Sequence, residues 1–352
     1  MVDESKLEFS CPVPLPARDK ILLGHGSGGR LTLELIRDVF LPAFENPILA
    51  QLDDQAIVSV DGVRLAFTTD SFVVSPLFFP GGDIGSLAVN GTVNDLAVGG
   101  AQPLFLSAAF IIEEGLPIET LRRVVDSLRR AAAAAGVLVV TGDTKVVEKG
   151  SADGLFINTS GIGVIPEGVH LSADQARPGD RVLLSGAIGE HGIAILAQRE
   201  GLEFESRVES DSAALHTLVA ALLAVTRDSI RCLRDPTRGG VSSTLNEIAA
   251  QSGVGILLDE RTVPVREEVK GACELLGLDP LYVANEGKLV AIVAPEVADE
   301  VLAAMRAHPL GRGAAIIGTV RDSHPGVVVM QTLLGTTRIV DMLSGDQLPR
   351  IC

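Results

Sequence analysis

Positive charge is in short supply in this chain. Lys and Arg number 29 against 45 Asp and Glu, a formal net charge of −16, and the only lysines are Lys6, Lys20, Lys145, Lys149, Lys270 and Lys288. A surface of that sign offers no broad counter-charge to a phosphate backbone or an anionic bilayer, which excludes nucleic acid and membrane surfaces as general partners. Long apolar runs are also missing, since none reaches the roughly 18 residues that a membrane-spanning helix requires. The four cysteines, Cys11, Cys232, Cys273 and Cys352, have no C-x-x-C spacing, and no His/Cys set has zinc spacing. No apolar stretch follows a basic amino terminus as in a secretory signal, so a reducing cytoplasm is the expected compartment. Without that signal the sequons at Asn90 and Asn158 carry no weight.

The 352 residues, 47% hydrophobic and 21% charged, suffice for two globular domains with a core in each. Apolar alternation and helical periodicity interleave throughout. In the first half, strands are expected at Gln55–Val60, Arg64–Thr69, Leu104–Ile112, Val137–Thr141 and Leu155–Ile165, with helices at Leu31–Phe40, Gly85–Val98 and Ile118–Ala135. The last of these is amphipathic, with Leu121, Val124, Val125, Leu128 and Ala132 on one face and Gly136 as its stop. Pro166-Glu167-Gly168 reads as a turn at a domain boundary. Beyond it, strands are expected at Arg181–Ser185, Gly255–Leu258, Lys288–Val293, Ala314–Val320, Gly326–Gln331 and Thr337–Asp341. Helices are expected there at Gly192–Arg199, Ser212–Val225, Ser242–Gln251, Glu267–Leu276 and Glu296–Ala307. The expected class is α/β (α+β): two domains, each a mixed sheet covered by helices. The divisions are a leader at 1–20, a first domain at 21–166, a second at 167–342 and a flexible tail at 343–352.

Five aspartates stand at strand ends or Gly-rich turns: Asp54 (beside Asp53), Asp70, Asp95, Asp143 and Asp235. Each alone suits a turn or helix cap; together they suit Mg²⁺ carrying a nucleotide's phosphates. Gly24-His25-Gly26-Ser27-Gly28-Gly29-Arg30 opens into a helix, so its backbone N–H groups are candidates to cradle an anion, although the order is not that of a Walker A loop. Asp235-Pro236-Thr237-Arg238-Gly239-Gly240 makes a second Gly-rich helix entrance, with Arg238 as a phosphate clamp or a solvated turn residue. Lys145 stands two residues after Asp143, and Glu286 lies beside Gly287 at a strand entrance. His25 and His191 lie beside glycines and are weaker candidates. Cys352 ends a tail with a Ser344-Gly345-Asp346 hinge and a stiffening Pro349, long enough to carry a thiol to a distant site, while Cys232 and Cys273 read as packing residues.

These motifs resemble those of the hydrogenase maturation carbamoyl dehydratases (HypE), from about residue 20 onward. They are His25-Gly26-Ser27-Gly28-Gly29, Asp53-Asp54, Thr69-Asp70-Ser71-Phe72, Asn94-Asp95-Leu96-Ala97, Thr141-Gly142-Asp143-Thr144-Lys145, Asp235-Pro236-Thr237-Arg238-Gly239-Gly240, Asn285-Glu286-Gly287 and the terminal Pro349-Arg350-Ile351-Cys352. The paired-Asp and T-T-D motifs are shared with aminoimidazole ribonucleotide synthetase, selenophosphate synthetase and thiamine-monophosphate kinase; the P-R-I-C ending is specific.

The resemblance implies a homodimer formed through the first domain, binding ATP and Mg²⁺. A carbamoyltransferase (HypF-like) would load Cys352, and ATP would drive dehydration of the S-carboxamide to an S-cyanide. A HypC–HypD-like iron scaffold would accept the cyanide for a [NiFe] hydrogenase. Carried over by position, Cys352 is the carrier thiol and Lys145 and Glu286 act on the carboxamide. Asp54, Asp70, Asp95, Asp143 and Asp235 hold Mg²⁺ and phosphate. Gly26, Ser27, Gly28, Gly29 and Arg238 complete the nucleotide contacts, and Leu348 and Ile351 grip the tail.

A selenophosphate synthetase places a reactive Cys or selenocysteine three residues before a Lys, whereas Cys11 here is followed by Pro-Val-Pro. A small-molecule kinase gives no reason for a terminal thiol. A non-catalytic thiol carrier or scaffold gives no reason for the acid, Lys and Glu set.

Overall fold

The computed structural model describes residues 20–202, 208–345 and 350–352. Cys11 and the rest of the leader up to residue 19 lie outside them, as does the expected grip at Leu348. After a 3₁₀ turn at Leu23–Gly26, helix Arg30–Leu35 (α1) runs through a π turn, Ile36–Phe40, into Leu41–Ala43 (α2), where Pro42 sits in the first turn.

The first domain contains Ala56–Val60 (β1), Val63–Phe72 (β2), the hairpin Phe78–Phe79 (β3) and Gly82–Asp83 (β4), Ile84–Val98 (α3), Gln102–Glu113 (β5), Ile118–Ala135 (α4), Leu138–Val147 (β6) and Leu155–Val164 (β7). Its five-stranded sheet has the order β1-β2-β7-β5-β6. Asp61-Gly62, both at positive φ, closes the β1–β2 hairpin as the twist of paired strands prefers. The one parallel pair, β5 with β6, is joined by the α4 crossover. Asp83 starts α3 by accepting from the N–H groups of Gly85 and Ser86 at 2.8 and 3.1 Å, while Ser86 Oγ takes the Asp83 N–H in return. Of the expected α4 stripe, Val124, Leu128 and Ala132 are buried and Leu121 is partly so, whereas Val125 at its edge is exposed; Gly136 ends the helix at φ +69°.

α3 and α4 cover one face of this sheet. The other carries a row of directly paired apolar side chains, Phe67, Ile162, Phe105 and Leu138, and all four are exposed.

The second domain contains Arg181–Leu184 (β8), Glu190–Glu200 (α5), His216–Val225 (α6), Ile230–Arg234 (β9), Gly240–Ser252 (α7), Gly255–Asp259 (β10), Glu267–Leu276 (α8), Val290–Val293 (β11), Ala298–Ala307 (α9), Ala315–Arg321 (β12), Val328–Gln331 (β13) and Thr337–Ile339 (β14). The sheet order is β14-β13-β10-β12-β8-β11-β9. β11 is buried along its whole length, which explains its unbroken apolar sequence. Leu96, Ala97 and Val98 of α3 share one core cluster with Leu183, Leu215, Leu218, Leu233 and Leu289, so the two sheets meet through a continuous apolar seam. Cys232 and Cys273 are buried packing residues, as expected.

Several strands differ from expectation. β2 and β6 continue past Thr69 and Thr141 to Phe72 and Val147, the short β3–β4 hairpin was not expected, and β9, whose Arg231 and Arg234 interrupt the apolar signal, forms beside β11. Among the described residues no helix is long and apolar enough to cross a membrane.

Candidate active site

Four of the five aspartates come together where the two sheets meet. Asp54 precedes β1, Asp70 lies in β2, Asp95 in the last turn of α3, and Asp235 directly follows β9. Glu286, only 2% exposed, joins them from the loop before β11. Burial and mutual repulsion push all five carboxyl groups upward. Asp54, Asp95 and Glu286 lie well above the ordinary range, chiefly through desolvation, then through neighbouring carboxylates, and Asp235 is raised to about 6 by burial. Asp70 is near enough to Asp95 for its charge to act on that carboxyl group directly. Thr68 Oγ lies 2.8 Å from Asp95 Oδ2 and 2.9 Å from the Asp54 carbonyl oxygen, which ties β2 to the cluster.

Two cations face this charge. Arg234, buried, places Nε 2.7 Å from Asp54 Oδ2 and Nη2 2.8 Å from Glu247 Oε2. Arg238 lies close enough to Cys352, and then to Asp70, Glu286 and Asp95, for their charges to raise its pKa against the effect of burial. Two guanidinium groups against Asp54, Asp70, Asp95, Asp235, Glu247 and Glu286 leave the pocket short of positive charge. Asp235 Oδ2 is moreover buried without a hydrogen-bond partner among the described residues. Both observations fit a hard divalent cation. Among the described residues no three carboxylate, imidazole or thiol groups make a ready coordination set.

Asp143 and Lys145 do not join this cluster. Along the sheet Asp70 aligns with Thr159 and Ala108, whereas Asp143 aligns with Ala109 and Asn158, opposite Ser71. One residue of parity places a side chain on the other face. The pair sits on the uncovered side of the sheet, 61% and 69% exposed, with Lys145 Nζ 2.9 Å from Asp143 Oδ2. Asp53 also turns away from Asp54: its carboxylate accepts from Ser172 Oγ at 3.1 Å and from the Ala173 N–H at 3.3 Å.

The Gly26-Ser27-Gly28-Gly29 loop lies against Arg238 rather than standing open. Arg238 Nη1 donates to the Gly26 carbonyl at 2.9 Å. Gly28 has φ +74°, and a side chain there would meet Arg238 Cβ at 2.6 Å, so only glycine fits this approach. The expected anion cradle is largely spent within the protein. The N–H groups of His25, Ser27, Gly28 and Arg30 already bond Leu22 O, Gly24 O, Thr32 Oγ1 and Leu343 O.

The end of the tail is docked at the same place. The N–H groups of Val73 and Ser75, following β2, donate to the main-chain oxygens of Cys352 and Arg350 at 3.0 and 3.2 Å. Ile351, 5% exposed, belongs to the core cluster of Phe72, Val74, Phe79, Ile84 and Ala284, with Cys352 packed against it. Arg350 pairs with Asp153, and Arg199 donates to the carbonyls of Ser75 and Arg350 at 2.9 and 2.8 Å. Burial, with Glu286 and Asp70 nearby and Arg238 opposing, pushes the Cys352 thiol up to about 12. Cys352 is thus held protonated beside Arg238 and Glu286.

Several supporting residues carried no sequence signal of their role. Arg234 is the buried counter-ion of Asp54. Asp211, in a plain Glu-Ser-Asp-Ser stretch, accepts the Glu286 N–H at 3.1 Å, and its other oxygen lies 3.1 Å from Lys288 Nζ, itself 3.0 Å from Glu190. Gly287 is required because a side chain there would drive into the Asp211 carbonyl oxygen. His191, one of the weaker candidates in the sequence, contacts the tail directly.

Two families of known domains match this chain: AIR synthase related protein, N-terminal domain, over residues 52–165, and AIR synthase related protein, C-terminal domain, over residues 177–331. The carbamoyl dehydratase HypE of Azotobacter vinelandii is 62% identical over 328 residues, which span 93% of this chain and 96% of that protein. A crystal structure of a HypE–HypF complex superposes with a TM-score of 0.84 at 52% identity, covering 88% of this chain and 99% of the other. A crystal structure of HypE in complex with ATP gives 0.80 at 53% identity, covering 95% and 100%. The chain therefore belongs to the carbamoyl dehydratase HypE family.

Proposed function

We propose that this protein converts an S-carboxamide on its own Cys352 to an S-cyanide at the expense of ATP, supplying the cyanide ligand of a [NiFe] hydrogenase iron. The docking of Cys352 beside Arg238, Glu286 and the buried acid cluster carries this reading, because a carrier thiol is brought to the place where phosphate chemistry is best supported. The solved HypE complex with ATP supports the nucleotide.

A carboxamide oxygen is a poor leaving group until it is phosphorylated. In the reaction the oxygen of R–S–C(O)NH₂ attacks the γ-phosphorus, ADP departs and nitrogen loses one proton, giving R–S–C(NH)–OPO₃. Loss of phosphate with the second nitrogen proton then leaves R–S–C≡N. Two protons must leave one nitrogen: Glu286, a desolvated carboxyl group beside Cys352, is the base placed to take the first, and the second departs with phosphate. Arg238 stabilises negative charge developing on the phosphoryl oxygens. Asp54, Asp70, Asp95 and Asp235 are the residues that would hold Mg²⁺, which when bound neutralises phosphate charge. The apolar seat of Ile351 excludes water that would otherwise hydrolyse the activated carboxamide.

Lys145 and Asp143 enter this scheme only through a second copy. The uncovered face bearing Phe67, Phe105, Leu138 and Ile162 is the kind of surface that a homodimer buries. With Lys145 across the sheet from Asp70, its role at the carboxamide requires that it come from the partner's β6. The remaining partners are a HypF-like carbamoyltransferase, supported by the solved HypE–HypF complex, and a HypC–HypD-like scaffold that accepts cyanide.

Glu286→Gln tests the assignment. ATP affinity should stay within about twofold and dehydration should stop, since general base catalysis is commonly worth 10²–10⁴-fold. Lost ATP affinity would make Glu286 a binding residue instead.

A further inference from the structure

His191, on the first turn of α5, is 0% exposed and takes no part in the chemistry described above. Its Nε2 lies 2.6 Å from the Ile351 carbonyl oxygen and its Nδ1 lies 2.8 Å from Ser210 Oγ. A carbonyl can only accept, so Nε2 carries the hydrogen and the neutral ring receives the Ser210 hydroxyl at Nδ1. Ser210 is itself fixed: its N–H donates to Pro80 O at 2.8 Å, and its Oγ accepts the Ser212 N–H at 3.1 Å. The ring stands edge-on to Phe79, with centroids 5.6 Å apart and planes at 89°, so its tilt is set by packing as well as by hydrogen bonds.

The same segment reaches the catalytic carboxylate. Asp211, next to Ser210, receives the Glu286 N–H at 3.1 Å, and the Ala213 N–H donates to the Glu286 carbonyl at 3.2 Å. One short stretch, 210–213, thus orients the imidazole that grips the tail and fixes the backbone of the residue that faces Cys352.

We infer that His191 is a positioning residue, whose Nε2–H clamps the Ile351 carbonyl and so sets Cys352 against Glu286. The grip is on the main chain. Val73, Ser75, His191 and Arg199 all donate to main-chain oxygens of residues 350–352. Val73 and Ser75 come from the first domain and His191 and Arg199 from the second, so the tail seats fully only where the two domains meet. The burial that depresses the imidazole pKa keeps the ring in its neutral, single-donor form. This inference rests on Cys352 as the carrier thiol for its kinetic consequence, but not for the clamp itself.

The test compares His191→Gln, which retains a donor near the position of Nε2, with His191→Leu, which fills space without one. Three readouts are taken on the full-length protein: the rate of maleimide addition to uncarbamoylated Cys352, Mg·ATP affinity, and single-turnover dehydration of the carbamoylated form. His191→Leu should raise thiol reactivity about tenfold, the effect of one lost buried hydrogen bond, and slow dehydration by at least as much with ATP affinity unchanged. His191→Gln should restore most of both. Ser210→Ala, which leaves the imidazole in place and removes its orienting hydroxyl, should raise thiol reactivity about threefold, and it decides the matter should His191→Leu fail to fold. Wild-type thiol reactivity in both His191→Leu and Ser210→Ala would overturn the clamp whatever reaction the protein catalyses. Raised reactivity with dehydration unaffected would confine His191 to docking and overturn its positioning role.

Discussion

Replacing Ile351 by alanine should release the tail without loosening the rest of the molecule. Ile351 is 5% exposed within the Phe72, Val74, Phe79, Ile84 and Ala284 cluster. Alanine removes three buried carbons, at about 0.8 kcal/mol each, which amounts to about 2.4 kcal/mol, or roughly a 60-fold shift toward the undocked state. The thiol reports that shift because docking changes its acidity. With the docked thiol pushed up to about 12 and a free one near 8.5, the thiolate population at pH 8 differs by about three orders of magnitude. Maleimide therefore reacts through the open form, and the observed rate follows the open fraction. Cys232 and Cys273 are buried with raised pKa values and stay silent, and peptide mapping separates Cys352 from Cys11. Ile351→Val, one carbon smaller, should accelerate reaction about fourfold, and Ile351→Ala about 60-fold, with the melting temperature unchanged. Because the open form carries an ordinary thiol, the rate should rise about tenfold per pH unit between about pH 7 and 8.5. A wild-type rate in Ile351→Ala would refute the docking energetics. A rate independent of pH over that range would show that opening itself, not the open thiolate fraction, limits the reaction.

Asp235→Asn should stabilise the nucleotide-free protein at neutral pH while weakening Mg·ATP binding at least tenfold. An acid raised to about 6 on folding is ionised first in the unfolded chain, so its presence lowers stability as pH rises from about 4 to 6, by up to about 3 kcal/mol, and the loss persists above that window. Thermal melts of both proteins at pH 5 and 7.5 check the sign; parallel curves would contradict it. Mixing and reannealing the inactive variants Lys145→Ala and Glu286→Gln should restore about a quarter of wild-type activity, because half of the dimers are mixed and one of their two sites is intact. No recovery would place Lys145 outside the partner's site.

Much of the architecture was legible because local signals agree with the global fold. The α4 stripe ends at a Gly in the left-handed region, and β11 is apolar because it is central. All four aspartates of the acid cluster were among the five nominated in the sequence, since each lies in or beside an element that reaches the junction of the sheets. That Asp143 lies apart from this copy's cluster was not legible, because its motif has the same appearance on either face of a strand. The facing is fixed by pairing of β6 with β5, across a register shift between Leu106 and Ser107 that no local pattern reveals. The glycine loop reads in sequence equally as an anion cradle or a plain turn, because sequence displays donors but not the acceptors, such as Leu343 O, that already occupy some of them. His191 and Asp211 act through contacts that span 160 and 75 residues of chain, and single-sequence periodicity carries no information about such pairs.

The central claim is that Cys352 carries the carboxamide and that this protein dehydrates it. Protein loaded on Cys352 by the carbamoyltransferase with carbamoyl phosphate, then given Mg·ATP, should lose the mass of one water as one ADP and one phosphate are released per site. An unchanged tail mass accompanied by steady ATP turnover would contradict the account.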